Sequence, residues 1–406
     1  MDAQPSNLIT RLRDYCAKKT GSVGLIKFGE KQPSYHILGG FLDSFAGFQL
    51  DETPIILTLR CPIDQLEKFK LQKSAQYHWD TVGWEWVDVP LDGNISETQL
   101  YQLIDTSYAL CISGFNQHQR DLIELSGQTL TFDIMIEKLI DQYNLNHRKA
   151  DIQAIITKQI WMKTDFANEI DLALGQSKIG GSPDLPINWK LPTYEDKPLA
   201  FVAQVNLDEI PMEIRSPLLP QKGILYFFSV WAWQLPNGDL HPDINWEDAK
   251  NPAMSQVLYF AGDEPLTRYP LPNAIKTFQP ASVTFIETPS FPRAGDYCCD
   301  IALHDLSWTE DEFDRFDELG FDFKFLLQQT FGRTPEHKLL GYADTIQNRF
   351  VEDGWRLLCQ IDSDYHQLHT DMMFGDGGII YFMIQNKNLT PYAHDFSRIL
   401  SELQMG

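Results

Sequence analysis

The first stretch able to do chemistry is Lys178-Ile179-Gly180-Gly181-Ser182. A lysine beside consecutive glycine amides supplies a cation and unshielded N–H donors, the ingredients of an anion cradle. The spacing is not that of a nucleotide loop, G-x-x-x-x-G-K followed by Ser or Thr, and paired glycines also serve simply to let the chain turn tightly. Downstream, Gln204 interrupts the apolar run Phe201-Val202-Ala203-Gln204-Val205, and Gln360 interrupts Leu357-Leu358-Cys359-Gln360-Ile361. A buried amide is costly unless its donors and acceptors are met. Each glutamine is therefore read either as a structural clamp on a neighbouring loop or as a polar contact facing a shared cleft.

The two glutamines belong to a faint internal repeat. Lys178 through Asp184, Gln204 and Gly223-Ile224-Leu225-Tyr226-Phe227 find counterparts in Lys338 through Asp344, Gln360 and Gly378-Ile379-Ile380-Tyr381-Phe382. Gly223 follows Gln204 by 19 positions and Gly378 follows Gln360 by 18. Long-range self-similarity speaks first to architecture. As a ligand cleft, the candidates are Lys178, Gly180, Gly181, Gln204, Lys338, Gln360 and Asp362.

Other constellations are thinner. Asp362, Asp364 and Asp376 suggest carboxylates for a cation, without the Asp-x-Asp-x-Asp-Gly run of a calcium loop. His366 and His369, with Asp371 nearby, reach one metal only if helical, and no third ligand follows at a metal-site spacing, so exposed loop histidines are expected. No Gly-x-Ser-x-Gly elbow or HExxH motif occurs, and nothing pairs a Ser or Cys with a His. No catalytic residue, metal site or cofactor is expected.

What must position these residues is a long, acidic chain. Its 406 residues exceed the usual reach of one core, so two domains are expected. Lys plus Arg total 33 against 56 Asp plus Glu, a net charge of −23. Residues 1–130 carry 11 basic and 16 acidic side chains, and residues 131–406 carry 22 and 40, so the balances are −5 and −18. Such a field repels nucleic-acid phosphates and speeds encounter with a basic partner. Its most concentrated acidic stretch is a helix over 309–319, where Phe313, Phe316 and Leu319 share a face and Glu310, Asp311, Glu312, Asp314, Asp317 and Glu318 occupy the rest. Those six acids are the partner-binding candidates. The six cysteines show no CxxC spacing and are expected reduced, and no apolar run is long enough to span a bilayer. With no basic segment leading into an apolar run near Met1, cytoplasmic residence is expected.

Along the chain, helical spacing predicts a helix near 5–20, a Pro-led helix at Pro62–Phe69 and a capped helix from Ser96. Strands are predicted at Ser34–Leu38, Ile55–Leu59 and Trp84–Val89, with a turn at Gly39-Gly40. Residues 118–165 read as a connector of two helices, one over 131–140 and one from Lys149 to about Trp161. Beyond Ile170, strands are predicted at Ala200–Val205, Gly223–Val230, Gln256–Phe260, Val283–Glu287, Trp355–Ile361 and Ile379–Ile384, with a closing helix at Asp395–Leu403.

Two resemblances follow. Leu57-Thr58-Leu59-Arg60-Cys61-Pro62 before a helix, Trp86-Val87-Asp88-Val89, and a helix running into Ser107-Tyr108 resemble the MmcQ/YjbR-like domain, a small α+β module. Family members commonly carry Lys where Arg60 stands. The family's likeness to double-wing DNA-binding folds implies a basic face, which the −5 balance does not favour, so a protein-contact module is the better expectation. Lys178-Ile179-Gly180-Gly181-Ser182-Pro183-Asp184, Phe201 through Leu207, Leu219 through Gly223, His337 through Tyr342, Leu357 through Asp364 and Gly375-Asp376-Gly377-Gly378 resemble the YwqG-like domain, whose fold implies two similar β-rich halves.

The expected fold is α+β: an MmcQ/YjbR-like domain at 1–117, a helical connector at 118–165 and a YwqG-like domain at 166–406. The YwqG-like family is similar to proteins found beside secreted bacterial toxins. The expected function is thus a non-enzymatic binding protein, most concretely an immunity-type protein that neutralises a basic toxin or effector through its acidic surface. The alternative is a small-ligand-binding protein or enzyme using the cleft between the repeats.

Overall fold

A computed structural model describes residues 5–25, 34–37, 44–74, 83–235, 240–244, 251–272, 276–293, 308–331, 337–347, 354–364 and 372–405. The Gly39-Gly40 turn, the vicinal Cys298 and Cys299, and His366, His369 and Asp371 lie outside them. The fold is mixed α+β. The chain divides into two compact units, residues 1–139 with 321–333, and residues 140–320 with 334–406.

In the first unit, β1 (Ser22–Leu25), β2 (Ser34–Ile37), β3 (Ser44–Gln49), β4 (Ile56–Pro62), β5 (Gln72–Lys73) and β6 (Trp84–Pro90) form one antiparallel sheet ordered β1-β2-β3-β4-β6-β5. Helices α1 (Pro5–Ala17), α2 (Ile63–Phe69), α3 (Glu97–Ser113) and α4 (Gln117–Ser126) accompany it. Ser96 starts α3 with a capping box: its hydroxyl accepts the Gln99 N–H while the Gln99 side chain accepts its own N–H at 3.0 Å. The helix buries Leu100, Leu103, Ile104, Ser107 and Cys111, a stripe at three- and four-residue spacing. Ser107 fastens that stripe to two strands, donating to Phe45 O and accepting from Arg60 N. Helix α4 was not read from the sequence, although Asn116 and Gln119 form a second capping box at its start.

Helices α5 (Phe132–Gln142) and α6 (Lys149–Ile155) follow, and here the structure corrects the expected helix to Trp161. The chain leaves α6 at Ile156 and enters the strand β7 (Thr157–Phe166). Ile152, Ile155, Ile156 and Ile160 suit a helix by spacing, but Ile160, Trp161 and Met162 are β-branched or bulky and gain neighbours on both sides as a central strand. The closing helix is also corrected: β22 (Ile399–Gln404) pairs with β19 (Ile379–Gln385) over six residues. Apolar 396, 399 and 403 fit a helix, yet Ile399, Ser401 and Leu403 alternate toward the core. The acidic helix runs past its predicted end, over Glu310–Phe331, because Phe316, Leu319, Phe323 and Leu326 continue one buried stripe and Gly320 costs only about 1 kcal/mol against alanine.

The remaining strands are β8 (Lys178–Ile179), β9 (Asp184–Pro186), β10 (Thr193–Tyr194), β11 (Lys197–Pro198), β12 (Ala200–Asn206), β13 (Ile224–Ser229), β14 (Ser255–Phe260), β15 (Leu266–Arg268), β16 (Ala281–Ser290), β17 (Lys338–Leu339), β18 (Trp355–Asp362), β20 (Leu389–Thr390) and β21 (Ala393–His394). Ten strands make one antiparallel sheet in the order β14-β13-β12-β8-β16-β7-β17-β18-β19-β22. Its centre is the pair β7–β16, matched over ten residues from Ser290↔Thr157 to Ala281↔Phe166. The sheet curls into a nearly closed barrel that brings edge strand β14 back to edge strand β22, with Ser255 Oγ 2.5 Å from Ser401 Oγ. Phe227 and Phe382 meet in its core at 5.1 Å between ring centres. Among the described residues no helix is long and apolar enough to cross a membrane.

Candidate functional site

Two joints in this sheet are made by strands only two residues long, β8 and β17. Residues directly opposite on neighbouring antiparallel strands share a face. The register sets Lys178 of β8 opposite Gln204 of β12, and Gln204 opposite Tyr226 of β13. It likewise sets Lys338 of β17 opposite Gln360 of β18, and Gln360 opposite Tyr381 of β19. Both glutamine strands carry a bulge just before the amide, between Phe201 and Ala203 and between Leu357 and Cys359.

At the first joint, all three polar side chains converge on Asp184, which is completely buried. Its N–H donates to Gln204 Oε1 at 2.8 Å and its carbonyl accepts from Tyr226 OH at 2.6 Å. Its carboxylate accepts from Gln204 Nε2 at 2.9 Å, Gly175 N at 3.0 Å, Arg268 Nε at 2.8 Å and Lys178 Nζ at 3.2 Å. Burial alone would raise this carboxyl's pKa. The Arg268 bond, the Lys178 charge and the Gly175 and Gln204 donors outweigh it and hold the group below its usual range. Burial, then the Asp184 charge, pushes Tyr226 up, so it stays a donor. The Lys178 ammonium, wholly buried, is also bonded to Glu169 Oε1 at 2.8 Å.

The donors offered to an anion by the sequence are thus occupied from within. Ser182 N donates to Glu169 Oε2, Gly180 N to Val202 O and Gly181 N to Phe278 O. Gly180 and Gly181 both have left-handed φ, +70° and +71°, and a Cβ on Gly181 would lie 2.3 Å from Glu169 Oε2. The pair is required for the turn and for that carboxylate's approach.

The second joint repeats the bonds. Asp344 N donates to Gln360 Oε1 at 2.9 Å, Gln360 Nε2 to Asp344 Oδ2 at 2.9 Å, and Tyr381 OH to Asp344 O at 2.6 Å, while Lys338 Nζ pairs with Asp344 Oδ2. Asp344 retains 23% side-chain exposure where Asp184 has none.

Asp362 does not join this cluster through its backbone: its N–H donates to His337 Nδ1 at 3.1 Å. His337 is fully buried, and burial pushes its pKa down to about 3. Asn206, the matching position in the first stretch, donates its N–H to Ser177 Oγ at 2.8 Å instead. Among the described residues no group of three His, Cys, Asp or Glu could hold a metal ion. Cys16, Cys61, Cys111 and Cys359 are buried thiols outside any disulfide, with Cys16 pushed up to about 12 and Cys61 to about 11 by burial.

The acidic helix needs one correction. Glu312 faces inward, only 6% exposed, and is spent on the fold. Arg148 grips both its oxygens, Nε–Oε1 at 2.9 Å and Nη2–Oε2 at 3.2 Å, and His147 Nε2 lies 2.6 Å from Oε1. It also caps the helix by accepting Thr309 N at 2.8 Å. Arg148, the Thr309 amide and His147 hold this carboxyl well below the usual carboxylate range. Glu310, Asp311, Asp314 and Glu318 are exposed, with Asp311 paired to Arg315 at 2.8 Å, and Asp317 is half-buried. Glu312→Ala is expected to cost about 1–2 kcal/mol as a lost cap and charge-assisted bonds. Glu310→Gln should change stability by less than about 0.5 kcal/mol, both read by thermal unfolding.

A family model described as "Domain of unknown function (DUF1963)" matches residues 177–404, which contain both Lys–Gln–Asp–Tyr clusters. The chain belongs to this family. No curated protein matches it. Among solved structures it is similar to the crystal structure of a Deinococcus radiodurans protein with the family-model domain DUF419, at 22% identity over 29% of this chain and 87% of that one, with a TM-score of 0.25. Within the DUF1963 domain, Lys178, Gln204, Lys338 and Gln360 are cleft candidates by sequence, and the aspartates that organise them are not. Their signal was present: an Asp stands six positions after the Lys, and a Tyr three after the closing Gly, in both stretches. Glu169 and Arg268 have no counterpart in the repeat and gave no signal.

Proposed function

We propose that the DUF1963 domain is a YwqG-like domain built from two similar halves, and that it works as a non-enzymatic binding protein. The repeated Lys–Gln–Tyr line, the repeated aspartate bonds and the matching bulges support the two halves. The same bonds support a binding role over a chemical one. A reactive lysine or carboxylate needs an unspent lone pair or proton at a reachable surface, whereas Lys178, Gln204 and Asp184 are fully buried and consumed by one another. The first unit, read as an MmcQ/YjbR-like module, serves in this picture as a further protein-contact module.

The observation that carries the partner's chemistry is the row Glu310, Asp311, Asp314 and Glu318, exposed on one helix in a chain of net charge −23. Such a face favours a basic protein surface, and the most concrete form is an immunity-type protein that covers a basic toxin or effector. The test is binding to the basic product of a neighbouring toxin gene. Reversing Glu310, Asp314 and Glu318 to lysine should weaken binding by about tenfold or more and flatten its salt dependence. Binding indifferent to both the reversals and salt, or a gene with no toxin beside it, would sink the immunity reading.

A further inference from the structure

We propose that the seam between β14 and β22 is the place where the barrel wall opens while the remaining joints stay closed. Every other pair of neighbours in the ten-stranded sheet is joined by a backbone ladder. The two shortest joints, at β8 and β17, are each reinforced by a Lys–Gln–Asp–Tyr cluster. The seam has neither device. Among the described residues, which include both strands in full, no backbone hydrogen bond links β14 to β22.

What holds the seam is side chains. Ser255 Oγ donates to Ser229 Oγ at 2.7 Å and lies 2.5 Å from Ser401 Oγ, which accepts the Trp231 indole N–H at 3.0 Å. All four residues are buried. The Tyr259 and Phe396 rings lie against each other at 5.8 Å, and the Phe227–Phe382 contact joins the strands one place in from each edge. A hydroxyl bond contributes about 1 kcal/mol net, so the two that cross the seam, Ser255–Ser401 and Trp231–Ser401, close the wall more weakly than a six-residue ladder. Local opening takes the least protected boundary first.

Native-state hydrogen exchange on the whole protein, resolved by peptide, tests this. The amides of β14 and β22 should exchange together and about tenfold or more faster than those of β7 and β16. The pair Ser255→Cys and Ser401→Cys, whose parent hydroxyls already sit at near-bonding separation, should on oxidation slow β14 and β22 by a similar factor and leave β7 unchanged. Equal rates across all ten strands in the unmodified protein would overturn the proposal, as would oxidised and reduced double variants that exchange alike.

Discussion

Asp184→Ala is expected to destabilise the second unit by about 3–5 kcal/mol, since it removes the buried acceptor of Lys178, Arg268, Gln204 and Gly175 and leaves the wholly buried Lys178 ammonium with Glu169 as its one remaining ion-pair partner among the described residues. In a domain of this size that is a fall in Tm of roughly 10 °C. Asp344→Ala removes the same bonds to Lys338 and Gln360 from a position with 23% side-chain exposure, where water can replace the lost carboxylate. Its expected cost is smaller, about 1–3 kcal/mol. Thermal and urea unfolding of both variants reads the difference. If Asp184→Ala melts with the parent, the cluster is no clamp, and a site held open for a ligand becomes the better account of it.

The second large effect is a pH dependence centred on His337. Its Nδ1 accepts the Asp362 N–H, so the imidazole must be neutral there, with its remaining proton on Nε2. Protonation would set two donors against each other and bury a charge. The folded pKa, about 3, lies below the ordinary value of 6.5, so the unfolded chain takes up the proton first. The stabilisation is therefore complete above about pH 6.5 and is lost progressively as pH falls toward 3, at up to about 1.4 kcal/mol per pH unit. The carboxylates held low, Asp184 and Glu312, lose their contribution only below their ordinary values of 3.8 and 4.5. The interval from pH 6.5 to 4.5 thus separates His337 from these carboxylates. His337→Asn can keep an acceptor for Asp362 N and cannot titrate, so its stability should be nearly flat across that interval while the parent's falls. A parent that is equally flat would show that His337 is not held neutral.

Much of the first unit was legible because its elements are defined locally. Ser96 and Gln99 announce α3, and the spacing of Leu100, Leu103 and Ile104 gives its buried face. The strands carrying Gln204 and Gln360 were legible for the same reason: a short apolar run between turn residues reads as a buried strand. The errors fall where a short sequence satisfies two periods at once. Around Ile160 and around Ile399 the apolar residues suit a helix and a strand equally, and only pairing with β16, β17 and β19 decides between them. Glu312 failed differently. On the helix it is one acid among six, and its inward turn depends on Arg148, 164 residues away.

The recurrence of Lys178, Gln204 and their counterparts at matched spacing within apolar strands is legible in the chain alone, because repetition and burial pattern are written in local order. So is the acidic charge. What the lysine and the Gly180-Gly181 turn are for emerges from contacts between segments. The Glu169 and Asp184 carboxylates fill the positions an anion would have taken, Arg268 from β15 ties the two together, and no local rule specifies which carboxylate reaches a buried ammonium.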